Sequence, residues 1–365
     1  MKDIRVSQPD MPPLDEFLPY LEKIWARRWL TNNGEFHQEF EQAIADYLDV
    51  PHVSLVTNGT LALLLAIQAL EIKGEVITTP YSFVATPHSL LWNGIEPVFA
   101  DISAETFSLD VKCVEQAITA RTSAILAVHC YGFPSDIDGL RSLSERHGLP
   151  LIYDAAHCFG QRTRGQSLLS FGDVSVLSFH ATKVFHTFEG GAIISSTPEM
   201  KQRVDYLRNF GFAGEIEIVD KGINAKMNEM QAAYGLLQLK YVDRAISHRA
   251  QMDALYRESL ADVSAVALPS IAALDRHNHS YFPVLIENGR DELYRALKDS
   301  GVLCRRYFYP LLSNLDMYRG LASAARDKLP VANRMAEQVL CLPMHAELTA
   351  SDVQRVVSII KKELV

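Results

Sequence analysis

Cysteine is scarce in this sequence of 365 residues, and its five cysteines are scattered along the chain. Their number is odd, and no two of them form a C-x-x-C pair. This pattern argues against a disulfide framework and against a cysteine-based zinc site. We therefore expect a protein of a reducing compartment, the cytoplasm.

The sequence also lacks an excess of positive charge and has no long apolar run. The 35 Lys and Arg residues face 44 Asp and Glu residues, which gives a formal net charge of -9. Nucleic acids and membrane surfaces attract basic faces, so neither is an expected partner. The most apolar stretch, LALLLAIQAL, is too short to cross a bilayer, and the first residues, MKDIRVSQPDMPP, lack the apolar run of a signal peptide.

Short apolar segments alternate with helical patterns through the first 200 residues. Two amphipathic helices, near 14–29 and 35–48, come first. The apolar strands that follow are VSLV at 53, EVITT at 75, EPVFA at 96, SAILAV at 123 and PLIYDA at 150, with two more near 173–179 and 190–195. This alternation predicts an α/β fold with a mainly parallel sheet covered by helices on both faces.

The pattern changes near residue 262, where a long charged helix is expected to end. A strand (SYFPVLIE), a helix (RDELYRALKDS), a strand (VLCRRYFYP) and two more helices follow. This order is typical of a small α+β domain. We predict a large domain over 1–262 and a small C-terminal domain over 263–365, as the chain length also favours.

Ligands of open α/β sheets bind beyond the carboxyl ends of the strands, so the residues there are candidates for a site. Asn58, Gly59 and Thr60 form such a turn and open a helix, whose first amides and dipole suit a phosphate. An ordinary N-cap is the commoner meaning of Asn-Gly-Thr by itself, and neither a Walker A nor a G-x-G-x-x-G motif is present.

Two other strand ends carry an aromatic ring and a carboxylate. Phe83, in TTPYSFVATPHS, could stack on a flat ring, although most aromatic residues belong to cores. Asp154, in LPLIYDAAHCFG, could pair with a cationic ring nitrogen or merely cap the next turn. His157 could be a ligand, but a structural histidine with satisfied hydrogen bonds is the commoner meaning of such a residue taken by itself.

The segment SFHATKVFHTFEGGAIIS holds one lysine, Lys183, between apolar residues. Such a lysine either extends to solvent or is desolvated into an amine nucleophile, and composition alone favours the first. The ordered set of a phosphate seat, an aromatic ring, a strand-end acid, Ser178 and Lys183 favours the second. Pyridoxal phosphate requires these partners for its phosphate, ring face, ring nitrogen and aldehyde.

Six ordered blocks resemble the DegT/DnrJ/EryC1/StrS family of sugar aminotransferases, which are fold type I (aspartate aminotransferase-like) enzymes. The blocks are WLTNNGEFHQEFEQAIADYLDV, N-G-T-x-A-L, YSFVATPHSLLWNGIEPVFADI, IYDAAH, SFHATKVFHTFEGGAI and GINAKMNEMQAAYGLLQL. They span almost the whole chain. The resemblance implies pyridoxal 5′-phosphate as the cofactor and a homodimer with shared active sites.

The resemblance also implies a role for each motif residue. Lys183 carries the cofactor aldehyde, Asp154 binds the pyridinium nitrogen and Phe83 stacks on the ring. The residues that hold the phosphate or line the pocket are Gly59, Thr60, Ser178, His157 and His180. Asn224 of GINAKM reaches the phosphate in the neighbouring subunit.

Several positions depart from the family pattern. His157 stands where D-A-A-Q is more common, and Leu312 stands where histidine is common. Lys226 replaces an arginine and keeps its charge without the bidentate fork. We carry over Lys226 and Tyr309 as substrate-binding residues. Lys183 is not replaced by histidine, and that replacement marks the dehydratases of the family, so the resemblance implies transamination.

The implied reaction transfers an amino group from L-glutamate to a nucleotide-linked keto sugar. The SFHATKVFHTFEGG segment is similar to those of enzymes that act at C4 and make dTDP-4-amino-4,6-dideoxyglucose, a precursor of O-antigen sugars in lipopolysaccharide. Relatives that act at C3 instead read S-F-Y-P-x-K-N-L-G-x-x-G-D-G-G. Two alternatives stay open: a C3-specific enzyme, and a protein that binds the cofactor without turnover.

A hydrolase without this cofactor is the remaining alternative. His180 with His186, or His277 with His279, could be the start of a metal site, but no carboxylate stands at zincin spacing from either pair. A hydrolase built on Asp154 would need a G-x-S-x-G elbow, which the sequence lacks. We expect no metal.

Overall fold

Strands and helices alternate in the computed structural model, which describes residues 3–271 and 273–364. The strands are β1 (Ile4–Arg5), β2 (Val53–Val56), β3 (Glu75–Thr78), β4 (Glu96–Phe99), β5 (Thr122–Val128), β6 (Leu151–Asp154), β7 (Arg162–Thr163), β8 (Gln166–Ser167), β9 (Val174–Ser178), β10 (Gly191–Ser195), β11 (Val266–Ala267), β12 (Phe282–Ile286), β13 (Val302–Leu303) and β14 (Val339–Leu342). The helices are α1 (Leu14–Arg27), α2 (Glu35–Leu48), α3 (Gly59–Ala69), α4 (Ala85–Trp92), α5 (Val111–Ala117), α6 (Ile137–His147), α7 (Pro198–Leu207), α8 (Glu229–Leu239), α9 (Val242–Leu260), α10 (Arg290–Asp299), α11 (Pro330–Gln338) and α12 (Ala350–Leu364).

Seven strands form the central sheet, in the order β2-β10-β9-β6-β5-β3-β4. Strand β10 runs antiparallel to both of its neighbours, and the other pairs are parallel. Helices cover both faces, so strands such as β2, β3 and β6 are buried at every residue. This burial explains why the sequence shows continuous apolar runs rather than alternation. The predicted α/β class with a mainly parallel sheet is confirmed.

Polar side chains cap the start of several helices. The side chain of Asn58 accepts a hydrogen bond from the amide of Leu61, and Asp136 caps α6 in the same way. Asn228 and Gln231 form a reciprocal capping box at the start of α8. No helix in the described ranges is long and apolar enough to cross a membrane.

A second sheet, in the order β11-β12-β14, packs against α10 and α12. The predicted strand in VLCRRYFYP is confirmed only at Val302–Leu303, where β13 pairs in parallel with β1. Strand β14 was not predicted, and it pairs antiparallel with β12. The core under this sheet also contains Ile4 and three residues of α9, Met252, Tyr256 and Leu260. The division at residue 262 stays a prediction.

Candidate active site

A cavity of about 820 Å³ opens beyond the carboxyl ends of the central strands. Eight of the predicted residues border it: Gly59, Thr60, Phe83, Asp154, His157, Ser178, His180 and Lys183. They come from four separate strand ends, which the parallel sheet brings to one edge. The convergence predicted for the carboxyl ends of the strands is therefore present in the structure.

The start of α3 forms one end of this cavity. Asn58 caps the amide of Leu61, while the amides of Gly59 and Thr60 precede the first intrahelical hydrogen bonds. A Cβ atom on Gly59 would lie 2.9 Å from the Cβ of Ser178. Glycine is therefore required for the helix start to approach the end of β9 this closely. The result is an anion seat made of amides and two hydroxyls.

Asp154 is buried at the end of β6, and both of its carboxylate oxygens accept hydrogen bonds. The hydroxyl of Thr86 donates to Oδ2 at 2.8 Å, and the amide of Ala156 donates to Oδ1 at 3.2 Å. Ser82 lies 2.9 Å from the Thr86 hydroxyl and extends this chain. Burial raises the pKa of Asp154, while Thr86, Ala156 and Lys183 act in the opposite direction. The sequence suggested two roles for Asp154, as the cap of a turn and as the partner of a cation. The two roles are compatible, because the carboxylate caps its turn and also borders the cavity.

Lys183 lies in the connection between β9 and β10, where its amide donates to the carbonyl of His180 at 2.8 Å. Its side chain borders the cavity and is partly buried. Desolvation lowers the pKa of its amine to about 8, although the carboxylate of Asp154 opposes this shift. A useful fraction of the amine is therefore neutral near pH 7 to 8, as a nucleophile or base requires.

His157 is buried, and its Nδ1 has no hydrogen-bond partner among the described residues. Its ring lies 4.7 Å from the ring of Tyr281, centroid to centroid, and is parallel to the ring of Phe308. Burial and the nearby Lys183 hold the pKa of His157 well below its usual range. A neutral imidazole therefore stands at the wall of the cavity, with its Nδ1 buried in the protein.

The mouth of the cavity holds residues that the sequence analysis missed or placed only by resemblance. His180 is exposed, with Nδ1 2.8 Å from the Thr182 hydroxyl and Nε2 3.6 Å from a carboxylate oxygen of Glu189. Glu189 also borders the cavity, as do Trp92 and Tyr281. Glu189 stands in the segment SFHATKVFHTFEGGAIIS, so its position was available from the sequence. Trp92 likewise stands in the quoted block YSFVATPHSLLWNGIEPVFADI, whereas Tyr281 lies in none of the six blocks.

Three predicted residues lie outside the cavity lining of the single chain. Asn224 is exposed and bridges to Asn209, whose side chain accepts a hydrogen bond from Nζ of Lys226 at 2.8 Å. Tyr309 lies against two guanidinium groups, those of Arg290 and Arg306, at 4.8 and 5.0 Å from its ring centroid. Two residues of the same segment that do border the cavity are Tyr307 and Phe308.

The His277 and His279 pair has a carboxylate neighbour that the sequence spacing did not indicate. Asp253, on α9, lies 3.2 Å from Nδ1 of His279, and the two Nδ1 atoms of the histidines are 3.2 Å apart. The other oxygen of Asp253 already accepts a hydrogen bond from Arg257 at 2.6 Å. This guanidinium neutralises the carboxylate and would repel a metal ion. The cluster is better described as a set of hydrogen bonds that joins α9 to His277 and His279.

The donor set of the cavity fits one kind of ligand. The amides and hydroxyls at α3 suit a phosphate, the carboxylate of Asp154 suits a protonated ring nitrogen, and the amine of Lys183 suits an aldehyde. The neutral imidazole of His157 at the cavity wall suits an oxygen on the same ring. Pyridoxal 5′-phosphate carries all four groups.

Comparisons with known proteins agree with this geometry. The model of the DegT/DnrJ/EryC1/StrS aminotransferase family matches residues 14–361. A dTDP-4-amino-4,6-dideoxy-D-glucose transaminase of Escherichia coli is 48% identical over 364 residues, 98% of each chain. An enzyme of the same name from Shigella dysenteriae is 47% identical over 99% of each chain. The crystal structure of DesI in the presence of its TDP-sugar product superposes with a TM-score of 0.94 at 37% identity, over 99% of this chain and 93% of that one.

The family match and these identities extend over nearly the full length of the chain, and they agree with the donor set that converges on the cavity. The chain therefore belongs to the DegT/DnrJ/EryC1/StrS aminotransferase family, and it is an aminotransferase whose cofactor is pyridoxal 5′-phosphate.

Proposed function

We propose that this chain transfers an amino group from L-glutamate to C4 of dTDP-4-keto-6-deoxyglucose and so makes dTDP-4-amino-4,6-dideoxyglucose. The single observation that carries the proposal is a desolvated lysine, Lys183, on the same cavity as the buried carboxylate of Asp154. The choice of sugar is supported by the 48% identity to the Escherichia coli enzyme of that name and by the SFHATKVFHTFEGG segment. We place the product in the synthesis of O-antigen sugars and the enzyme in the cytoplasm.

We assign the cofactor contacts to residues that border the cavity. Gly59, Thr60 and Ser178 would hold the phosphate. Phe83 would stack on the ring, because it borders the cavity and the residue is 60% exposed. Asp154 would hold the proton on the ring nitrogen. His157, whose imidazole borders the cavity, would contact the ring oxygen, and His180 would line the same pocket.

The bound cofactor supplies an electron sink that stabilises negative charge at the carbon beside the transferred nitrogen. The chain supplies the proton movements. Lys183 would take the proton from Cα of glutamate and deliver a proton to C4 of the sugar, since a pKa of about 8 lets its amine do both. The buried carboxylate of Asp154 would keep the ring nitrogen protonated throughout, and the aromatic walls would limit water.

We propose a homodimer in which Asn224 and Lys226 reach the partner's cavity. Asn224 is exposed and lies outside the cavity of its own chain. The segment around it exposes Phe210, Ile216, Ile218, Val219 and Ile223, with exposed fractions from 39% to 91%. Apolar groups exposed in such a run are typical of an interaction surface. We assign Lys226 to the anionic part of the sugar nucleotide and Tyr309 to the sugar.

The test is conversion of dTDP-4-keto-6-deoxyglucose with L-glutamate, with the product and its amine position determined by NMR. Replacing Lys183 by alanine should lower turnover by at least about a thousandfold, because nucleophile and base are lost together. Lys112→Ala removes an exposed lysine and is the matched control. Turnover at the parent rate in Lys183→Ala would overturn the mechanism, and amination at C3 would overturn the substrate assignment.

A further inference from the structure

Residues 277–281 form a two-sided segment between α9 and the turn that follows β6. From residue 277 to residue 280, successive side chains point in opposite directions. His277 and His279 face Asp253 on α9, whereas Asn278 and Ser280 face the backbone around His157. The segment therefore links α9, which packs in the core under the β11-β12-β14 sheet, to a wall of the active-site cavity.

Asn278 makes the central contacts on the cavity side. It has no exposed surface, and its amide nitrogen donates to the carbonyl of His157 at 2.8 Å and to that of Phe159 at 2.9 Å. Its amide oxygen accepts from Nε2 of Gln161 at 2.9 Å and from the amide of Ser280 at 3.1 Å. One buried side chain thus uses both of its donors and its acceptor to hold three residues of the turn.

The neighbours of Asn278 add to this hold on His157. The hydroxyl of Ser280 lies 3.1 Å from the carbonyl of His157, and the ring of Tyr281 packs edge-on against the imidazole. Gly132 approaches the same carbonyl so closely that a Cβ atom there would lie 3.1 Å from it. The carbonyl and the ring of His157 are therefore both fixed.

The opposite side of the segment is anchored to α9. His279 contacts Asp253, which is itself held by Arg257 from the next turn of the helix. The backbone of His279 has a φ of 50°, in the left-handed region that a non-glycine residue adopts only when its surroundings impose it. Packing on both sides of the segment supplies that constraint.

We propose that Asn278 is a positioning residue of the active site: it holds the turn after β6 so that the imidazole of His157 meets the cofactor ring. A buried asparagine with a purely structural role would stabilise the fold without affecting the cofactor. Asn278 differs because two of its hydrogen bonds end on the turn that carries His157. The inference rests on the proposed role of His157 and not on the choice of sugar.

The test compares Asn278→Ala with Asn333→Ala in the holoenzyme. Asn333 is also a buried asparagine, it donates to the carbonyl of Leu329 at 2.7 Å, and it does not border the active-site cavity. Both variants should lower Tm. Only Asn278→Ala should also raise the Kd of pyridoxal 5′-phosphate, by about tenfold, and shift the pH midpoint of the absorption band of the bound cofactor.

Two further variants keep the test decisive. Ser280→Ala removes a weaker contact to the same carbonyl and should shift the pH midpoint in the same direction by less, even if Asn278→Ala does not fold. In a His157→Ala background, loss of Asn278 should add little to the change in Kd, because both substitutions act through one ring. A wild-type spectrum in the Asn278 and Ser280 variants, or full additivity with His157→Ala, would overturn the proposal. Absence of sugar product from a wild-type protein with a normal spectrum would instead overturn the proposed substrate.

Discussion

Replacing Thr86 by valine should weaken the interaction of the Asp154 carboxylate with the ring nitrogen of the cofactor. Valine has nearly the shape of threonine, so the change removes one hydroxyl without opening a cavity. That hydroxyl donates to Oδ2 of Asp154 at 2.8 Å, and both residues are buried. Because the Thr86 hydrogen bond lowers the pKa of a carboxyl that burial has already raised, its loss should raise that pKa further.

The magnitude follows from the charge on the acceptor. A hydrogen bond to a charged group contributes about 1.5–3 kcal/mol, and about 1.4 kcal/mol is a tenfold change in an equilibrium constant. Asp154 then loses its charge at a higher pH, and the ring nitrogen loses its partner over that range. The acid limb of the kcat profile should therefore move up by about one unit or more, and the Kd of the cofactor should rise at neutral pH.

Thr86→Val should also lower the folding stability of the protein at neutral pH. The folded-state pKa of Asp154 is raised, so its burial already costs stability at pH values above the unfolded pKa. Thr86→Val should increase that cost at neutral pH and leave stability in acid, where the group is protonated in both states, almost unchanged. Thermal unfolding at several pH values measures this difference. Thr86→Ser, which keeps the hydroxyl, is the control.

The reasoning is refuted if Thr86→Val and Thr86→Ser share one acid limb and one cofactor Kd with the parent. A loss of Tm that is equal in acid and at neutral pH would also contradict it, because it would indicate altered packing rather than an altered carboxylate.

Three other predictions concern the amine, the phosphate seat and acid stability. Uptake of pyridoxal 5′-phosphate by the cofactor-free protein should accelerate as pH rises and level off above about 8, where Lys183 is neutral; stopped-flow absorbance that still climbs tenfold per unit above pH 9 would be inconsistent with the lowered pKa. Gly59→Ala should raise the cofactor Kd by about tenfold or more, since its Cβ would lie 2.9 Å from that of Ser178, and fluorescence titration measures the change. His37 is buried with a pKa lowered to about 4, so the unfolded chain binds the extra proton and stability should fall by up to about 3 kcal/mol as pH drops from 6.5 to 4; a flatter Tm profile in His37→Gln would support this, and an unchanged profile would not.

The residues predicted best from the sequence are those at strand ends. Asp154 and Lys183 could be found because apolar runs identify the strands, and parallel strands present their carboxyl ends on one edge. Strand β14 was missed because VLCL follows a helical pattern directly and has no turn signal before it. VLCRRYFYP was assigned too long a strand, since its apolar and aromatic residues fill the core beside the cavity without forming a ladder.

The hydrogen bonds that hold the site residues come from side chains far away in the sequence. Thr86 stands 68 residues before Asp154, and Asn278 stands 121 residues after His157, so neither pair has a spacing that a pattern could reveal. Asn224 was placed at a neighbouring subunit by resemblance alone. Its exposed position outside the cavity of its own chain leaves that assignment a prediction.

By itself the sequence determined the α/β class and the cofactor, and it proposed Lys183 and Asp154 as the amine and the acid, because local hydrophobic periodicity and short motifs carry that information. Only the tertiary structure decided which buried groups hold those residues at the right pKa and orientation. The physical reason is that desolvation and hydrogen bonding depend on what surrounds a side chain in space, and distant parts of the chain supply those surroundings.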